Sequence, residues 1–472
     1  MQLDPIKFFH ACDPSRTLQI SKPEDRKYYI DFASVRGGKI IKRLERTILN
    51  RSQLGEPTCQ LFTGHIGCGK STELRRLQAE LEDQGFHVVY FASTEDLDMA
   101  NVDISDILLA IARQIALSLE PFKIQLQPTR FLKIINEAKA LLTSEVTGLT
   151  FQAPDVEVAG TGIKLKKEFG IKRDNDSYSI AFGLGELTST ARNSENVRSL
   201  LSQHLEPRVK TILEVINKEL LEPAQKQLRD QGKEGLVVIV DNLDRVDNRQ
   251  KDGSKRTLPE YLFVDRGDQL RQLDCHVIYT IPLVLAFSND AEYLKNRLGG
   301  GNDVKRLPMV PIYKMDGSDY GEGIQLLKQM VMARAFPDAP PEQRLDFVDQ
   351  VFDSPDTLER LCRIAGGHSR NLLSILHRCL EEDDPPITRD CLERAIREYR
   401  DSLSLAVEDH EWELIQQVAQ QKRVSGEKAH QMLLRSLFVF EYDDPQEGRW
   451  FEVNPALQET KQFRGQQFRG QL

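Results

Sequence analysis

No stretch of the chain approaches the roughly 18 consecutive apolar residues that a membrane-crossing helix needs, so no membrane span is expected. Residues 1–10 show no basic segment followed by an apolar core, which argues against a secretory leader. The seven cysteines, Cys12, Cys59, Cys68, Cys275, Cys362, Cys379 and Cys391, are scattered and form no C-x-x-C pair. Neither a zinc site nor a disulfide framework is indicated, and a reducing cytoplasm is the expected compartment. Basic residues are in the minority, 63 against 72 acidic, for a net charge of −9. That balance argues against strong non-specific nucleic-acid binding by the whole molecule, while leaving room for a local basic surface. No Ser/His/Asp constellation of a hydrolase and no nuclease or protease signature is recognisable.

What is present is a chain of 472 residues, 40% hydrophobic and 29% charged, too long for one core. Its most specific stretch is Gly64-His65-Ile66-Gly67-Cys68-Gly69-Lys70-Ser71-Thr72, which fits the pattern G-x-x-x-x-G-K-[ST] of a phosphate-binding loop. Its glycines let successive N–H groups converge on phosphate oxygens. Lys70 can reach the β- and γ-phosphates, and Ser71 can offer its hydroxyl to Mg²⁺. Context agrees with pattern: residues 59–63 read as a buried strand, and Leu74, Leu77 and Leu81 share one face of a following helix. The nine residues from Gly64 to Thr72 are therefore the expected ATP-binding segment.

A second signature is the run 236–240, Leu-Val-Val-Ile-Val, followed by Asp241-Asn242-Leu243-Asp244-Arg245. Five apolar residues suit a strand buried on both faces, and an aspartate at its C-terminal end stands where ligands bind in open α/β sheets. Asp241 is expected to hold Mg²⁺ through water, opposite Ser71. Apolar strands are also expected at 86–93, 275–282 and 307–313. Thr280 closes one of them, either sensing the γ-phosphate or satisfying the strand-end backbone. Residues 28–32 read as strand-like and 39–49 as an amphipathic helix, able to cradle the adenine base or simply to pack. Residues 156–169 alternate apolar and polar as a β-hairpin would. With Lys164, Lys166, Lys167, Lys172 and Arg173 they form the densest basic patch of this half, a solvated face or a partner- or DNA-binding loop.

Beyond about residue 320 the strand signal vanishes and helical spacing takes over. Gly366-Gly367-His368-Ser369-Arg370 opens one of these helices, with Ser369 as the expected cap. Helices near 412–420 and 427–436, then strands at 437–442 and 450–453, describe a winged-helix-like unit. The fold expected is α/β: a three-layer P-loop NTPase core with a parallel sheet, then a helical lid and a winged-helix-like C-terminal domain. The boundaries are an N-terminal arm at 1–50, a core at 51–318 with an insertion at about 145–232, a lid at 319–405, a winged helix at 406–460 and a disordered tail at 461–472.

Taken in order, these features resemble P-loop ATPases at the border of the AAA+ and STAND groups, including origin-recognition-like and KAP-like prokaryotic proteins. The resemblance implies that Gly64 to Thr72 is the Walker A segment and that Val237 to Asp241 is Walker B. It places Thr280 at the first sensor position, Arg370 at the second, and Arg297 as an arginine finger acting on a neighbouring subunit. Those ATPases usually carry Glu after the Walker B aspartate, where this chain has Asn242; Asp244 is the remaining candidate base. The implied activity is an ATP-dependent switch, with slow hydrolysis, that controls self-assembly or a protein partner. The alternatives are a DNA-binding initiator and a nucleotide-binding scaffold without turnover. Glu441, Asp443, Asp444, Glu447 and Glu452 make the wing acidic, with Arg449 alone opposing them, so nucleic acid is not the favoured partner.

Overall fold

The computed structural model describes residues 1–36, 38–124, 126, 128–146, 181, 183–185, 195–444 and 448–469. The hairpin expected at 156–169, with Lys172 and Arg173 beyond it, lies outside them. Strands β1 (Cys59–Gly64), β2 (His87–Ala92), β3 (Leu236–Asp241), β4 (His276–Thr280) and β5 (Lys305–Leu307) form one parallel sheet in the order β2-β3-β4-β1-β5. Strand β1 leads into the glycine loop and then the helix Lys70–Asp83, the strand–loop–helix arrangement of the P-loop NTPase fold. All six residues of β3 are buried, as a run of five apolar side chains requires. Among the described residues no helix is long and apolar enough to cross a membrane.

The chain divides into two compact units, one of residues 1–84, 241–245 and 278–472, the other of residues 85–240 and 246–277. In the second unit, the helix Ile104–Leu119 begins with a capping box in which Asp103 and Asp106 satisfy each other's end of the first turn. Residues 195–230 are helical in segments, Glu195–Leu205, Val209–Val215, Ile216–Leu221 and Glu222–Asp230, with Pro207 in the first break and Pro223 at the start of the last segment.

The first unit holds the loop and two further hydrophobic clusters. One joins the helices Gly321–Ala335, Pro355–Ile364, Ser369–Glu382 and Arg389–Leu405 through Leu327, Val331, Leu361, Leu372 and Ile396. Phe8, Cys12, Phe32 and Val35 belong to the same cluster, so the N-terminal segment is built into the helical domain. Buried Arg334 pins this junction by donating from Nε to the Ala11 carbonyl, 3.1 Å away. The other cluster packs Trp412, Ile415, Leu433 and Leu434 of two helices against Val439, Phe451 and Val453 of an antiparallel hairpin, β6 (Val439–Asp444) and β7 (Gly448–Val453).

Three expectations are corrected. The fifth strand stops at Leu307, because Pro308 and Pro311 have no N–H to give a ladder. The Met309 amide instead reaches the Glu441 carbonyl at 2.9 Å, and the Val310 amide reaches that of Gly367 at 3.4 Å. Residues 28–32 are not a strand but lie along the cavity described below. Lys461–Arg469 is a helix rather than a disordered end: Phe463 is buried and its carbonyl accepts from Gln416 at 2.6 Å. Because Phe8 completes a core made mostly of residues beyond 310, Phe8→Ala is expected to lower stability by about 3–5 kcal/mol. Urea denaturation measures this, and a loss under about 1 kcal/mol would mean that the N-terminal helix only rests on the surface.

Candidate functional site

One cavity of the first unit collects the glycine loop, the N-terminal segment and the helical domain. Its lining joins Gly67, Gly69, Lys70, Ser71 and Thr72 of the loop with Arg36 of the N-terminal segment, Asp244 and Arg245 after β3, and Arg370 of the helical domain. Gly67 is held in the left-handed region at φ +89°, and a Cβ there would meet His368 at 2.7 Å, so only glycine fits.

Lys70 is almost fully buried. Its ammonium donates to the Gly64 and His65 carbonyls, each at 2.9 Å, and pairs with Asp244 at 2.9 Å, whose side chain is equally buried. Burial, the largest influence, disfavours the charge, but Asp244 together with its neighbours Cys68 and Asp241 raises the lysine pKa on balance. Asp244 Oδ1 is buried with no hydrogen-bond partner among the described residues, leaving one acceptor unused beside the loop.

The chain after β3 explains how Asp244 reaches this place. Asn242 adopts φ +64°, a left-handed turn that asparagine tolerates better than most residues. Its amide donates to Asp241 Oδ1 at 2.7 Å, and the Leu243 amide donates to Thr280 Oγ1 at 3.0 Å. The strand therefore ends at Asp241, and the turn carries Asp244 to Lys70. Asn242, read from sequence as the place of a missing base, is the turn residue that positions Asp244.

The other expected residues divide. Ser71 and Arg370 line the cavity with the loop, whereas Asp241, Thr280 and Arg297 are not among its lining residues. Thr280 is fully buried and its hydroxyl serves the turn backbone, the second of its two expected roles. Arg297 ends the helix Ala291–Arg297, away from the cavity lining. Burial lowers the Arg370 pKa, and the neighbouring Arg245 guanidinium lowers it further, which marks a local excess of positive charge.

Three residues at the site escaped the sequence reading. Arg36, 3% exposed, donates to the Cys68 carbonyl at 2.8 Å, and its Nε is buried without a partner among the described residues. His368, not Ser369, caps the helix Ser369–Glu382: its Nδ1 accepts the Asn371 amide at 3.0 Å. That bond fixes the proton on Nε2, which donates to the Ile66 carbonyl at 2.8 Å. From the hairpin, the Glu441 amide donates to His65 Nε2 at 2.9 Å. The proton of His65 is thus on Nδ1, which faces the Leu434 backbone without closing a full hydrogen bond. No short motif flags any of these residues in these roles.

The side chains beside the loop suit the Mg²⁺ that the resemblance implies. Ser71, Asp241 and Asp244 offer only oxygen donors, the hard set Mg²⁺ prefers, and Asp244 Oδ1 is an unclaimed buried acceptor. No group of three or more His, Cys, Asp or Glu side chains poised for a metal occurs among the described residues, so such an ion would lean on phosphates and water. The set fits.

Residues 39–252 match the model of the KAP family P-loop domain. No curated protein matches the chain. Among solved structures, the Aeropyrum pernix ORC2 protein in its ADPNP–ADP complexes is 13% identical, covers 90% of this chain and 91% of its own, and gives a TM-score of 0.35. Drosophila ORC bound to DNA is 11% identical, with 96% and 89% covered and a TM-score of 0.35. The CDC6P protein from Pyrobaculum aerophilum is 12% identical, with 93% and 97% covered and a TM-score of 0.34. No residue role follows from likeness at this level.

Burial pushes the two imidazoles down from 6.5, His65 to about 3 and His368 to about 4, so both are neutral in the folded protein. Once unfolded they take up protons near pH 6.5. The stability they contribute is therefore intact above pH 6.5 and is lost as pH falls toward 4 and then 3. Melting temperatures are expected to drop across that window and to drop less steeply in His65→Gln/His368→Gln; parallel curves for the two proteins would contradict the assignment.

Proposed function

We propose that the chain binds ATP with Mg²⁺ at Gly64–Thr72 and that the bound nucleotide acts as a switch controlling self-assembly or a protein partner. The observation that carries this reading is the buried Lys70–Asp244 pair in a cavity that Arg245 and Arg370 also line. Lys70 is engaged by two loop carbonyls and one carboxylate. A phosphate chain offers it a stronger set of oxygens, and the move frees Asp244. The surplus guanidinium charge of Arg36, Arg245 and Arg370 favours a polyanion. The match to a KAP family P-loop domain points to the same ligand class.

Ser71 and Asp241 are the residues that would hold Mg²⁺, which when bound neutralises charge on the phosphate oxygens. Asp244, released from Lys70, is the carboxylate able to accept a proton from an attacking water, the role an amide at position 242 cannot fill. Arg370 reaches the site from the helical domain and supplies a link between nucleotide and domain position. Arg297 is retained as a finger for a neighbouring copy only in an assembled form. Nucleic acid stays disfavoured as a partner: Arg449, the one basic residue between 439 and 453, is taken by buried Glu441 at 2.9 Å.

Lys70→Ala is expected to weaken nucleotide affinity by about 100-fold or more, roughly 2.7 kcal/mol. Asp244→Asn is expected to lower turnover by about 10²–10⁴-fold while affinity holds or improves, because Lys70 is no longer sequestered. Titration with a fluorescent ATP analogue and steady-state phosphate release separate the two effects. Unchanged turnover in Asp244→Asn removes this residue from the chemistry. Light scattering after size exclusion, with and without a non-hydrolysable ATP analogue, tests the switch; identical masses and an unaltered partner profile would leave a nucleotide-binding scaffold.

A further inference from the structure

The glycine loop is held from outside by segments distant in sequence, and each hold acts on a carbonyl. His368 Nε2–H takes that of Ile66 at 2.8 Å, the Arg370 amide takes that of Gly67 at 3.2 Å, and Arg36 takes that of Cys68 at 2.8 Å. A trans peptide is planar, so its carbonyl and the following N–H point in opposite directions. Drawing the Ile66 and Cys68 carbonyls outward therefore turns the Gly67 and Gly69 amides the other way, as a phosphate-binding nest requires.

The same loop also carries the hairpin. His65 Nε2 accepts the Glu441 amide, and the Phe440 ring contacts both imidazoles, stacked on His368 at 5.7 Å and edge-on to His65 at 5.8 Å. Glu441 is held in turn by Arg449 of β7 at 2.9 Å and Arg306 of β5 at 3.6 Å, while its carbonyl receives the Met309 amide. All of these groups lie in one buried interface: His65 and Glu441 are 2% and 1% exposed, and His368 and Phe440 are fully buried. Parting His65 from Glu441 without admitting water would strand a buried N–H and its acceptor. Loop and hairpin therefore stay together or separate together.

We propose that His65, His368 and Phe440 form a positioning relay that makes the peptide orientation of the glycine loop and the docking of the β6–β7 hairpin a single cooperative unit. Order in either is transmitted to the other. In its ligand-dependent half the relay rests on the proposed nucleotide site: phosphates that fill the loop tighten the hairpin, and by reciprocity an undocked hairpin weakens nucleotide binding.

Hydrogen exchange on the full chain, followed in peptides covering 64–72 and 438–444, tests this without ligand. His65→Ala and His368→Ala are each expected to speed exchange in both segments by about tenfold, one hydrogen bond's worth. His65→Gln, whose side-chain oxygen can accept the Glu441 amide, is expected to restore slow exchange in both. Acceleration confined to one of the two segments, or a His65→Gln that behaves as His65→Ala, overturns the relay. Should a histidine variant fail to fold, Phe440→Leu keeps the apolar bulk and carries the same expectation. A second arm adds Mg²⁺ and a non-hydrolysable ATP analogue, with binding checked by titration. Slowed exchange at 438–444 in the wild type but not in His65→Ala supports the relay. Binding without a hairpin response overturns it. If nothing binds while the ligand-free coupling holds, the nucleotide reading falls and the relay stands.

Discussion

A lysine removed from water keeps its charge only where oxygen atoms replace the lost hydration. In this chain the replacements for Lys70 are two carbonyls of its own loop and the Asp244 carboxylate. Much of the first unit can be understood from that requirement. Strand β3 must end and turn where it does so that Asp244 arrives at the lysine, and Asn242 supplies the left-handed residue that makes the turn. Thr280 on β4 secures the turn's Leu243 amide. The loop carbonyls must be kept in place, and that work falls to side chains from the N-terminal segment and the helical domain.

The Lys70–Asp244 pair satisfies two buried charges. Yet the pair leaves Asp244 Oδ1 unclaimed, and Arg36 carries an orphaned Nε. Both residues line the cavity, where, on the proposed reading, an anion and its counter-ion would remove these deficits.

The parts legible in the sequence were those in which neighbouring residues cooperate. Strand β1, the glycine loop and the helix Lys70–Asp83 are contiguous, and the apolar run of β3 with its terminal aspartate is a local pattern. The helical domain and the hairpin were readable from periodicity for the same reason. What escaped depends largely on partners outside the local sequence, 32 residues away for Arg36 and 302 for His368. Nothing local distinguishes Arg36 in a glycine turn from a solvated arginine, nor His368 from an ordinary residue ahead of a helix. Phe8 and Cys12 read as part of an arm because the core they complete lies mostly beyond residue 310. The comparison of residue types said what Asn242 cannot do, and only its backbone angle reveals its task in the turn.

The distances in sequence have a consequence for how the site comes into being. The hydrogen bonds that brace the loop span 302 residues to His368 and 376 to Glu441, and the bond from Arg334 to Ala11 spans 323. During synthesis the N-terminal part emerges first, at about 5–20 residues per second. The glycine loop would then spend on the order of 15–80 seconds outside the ribosome before its outer carbonyls find their donors. Contacts of such long range also slow folding after release. A nascent or truncated chain ending before His368 would hold the complete glycine-loop sequence without its outer donors, so the loop geometry on which the proposed phosphate site depends is acquired late, as a property of the finished chain.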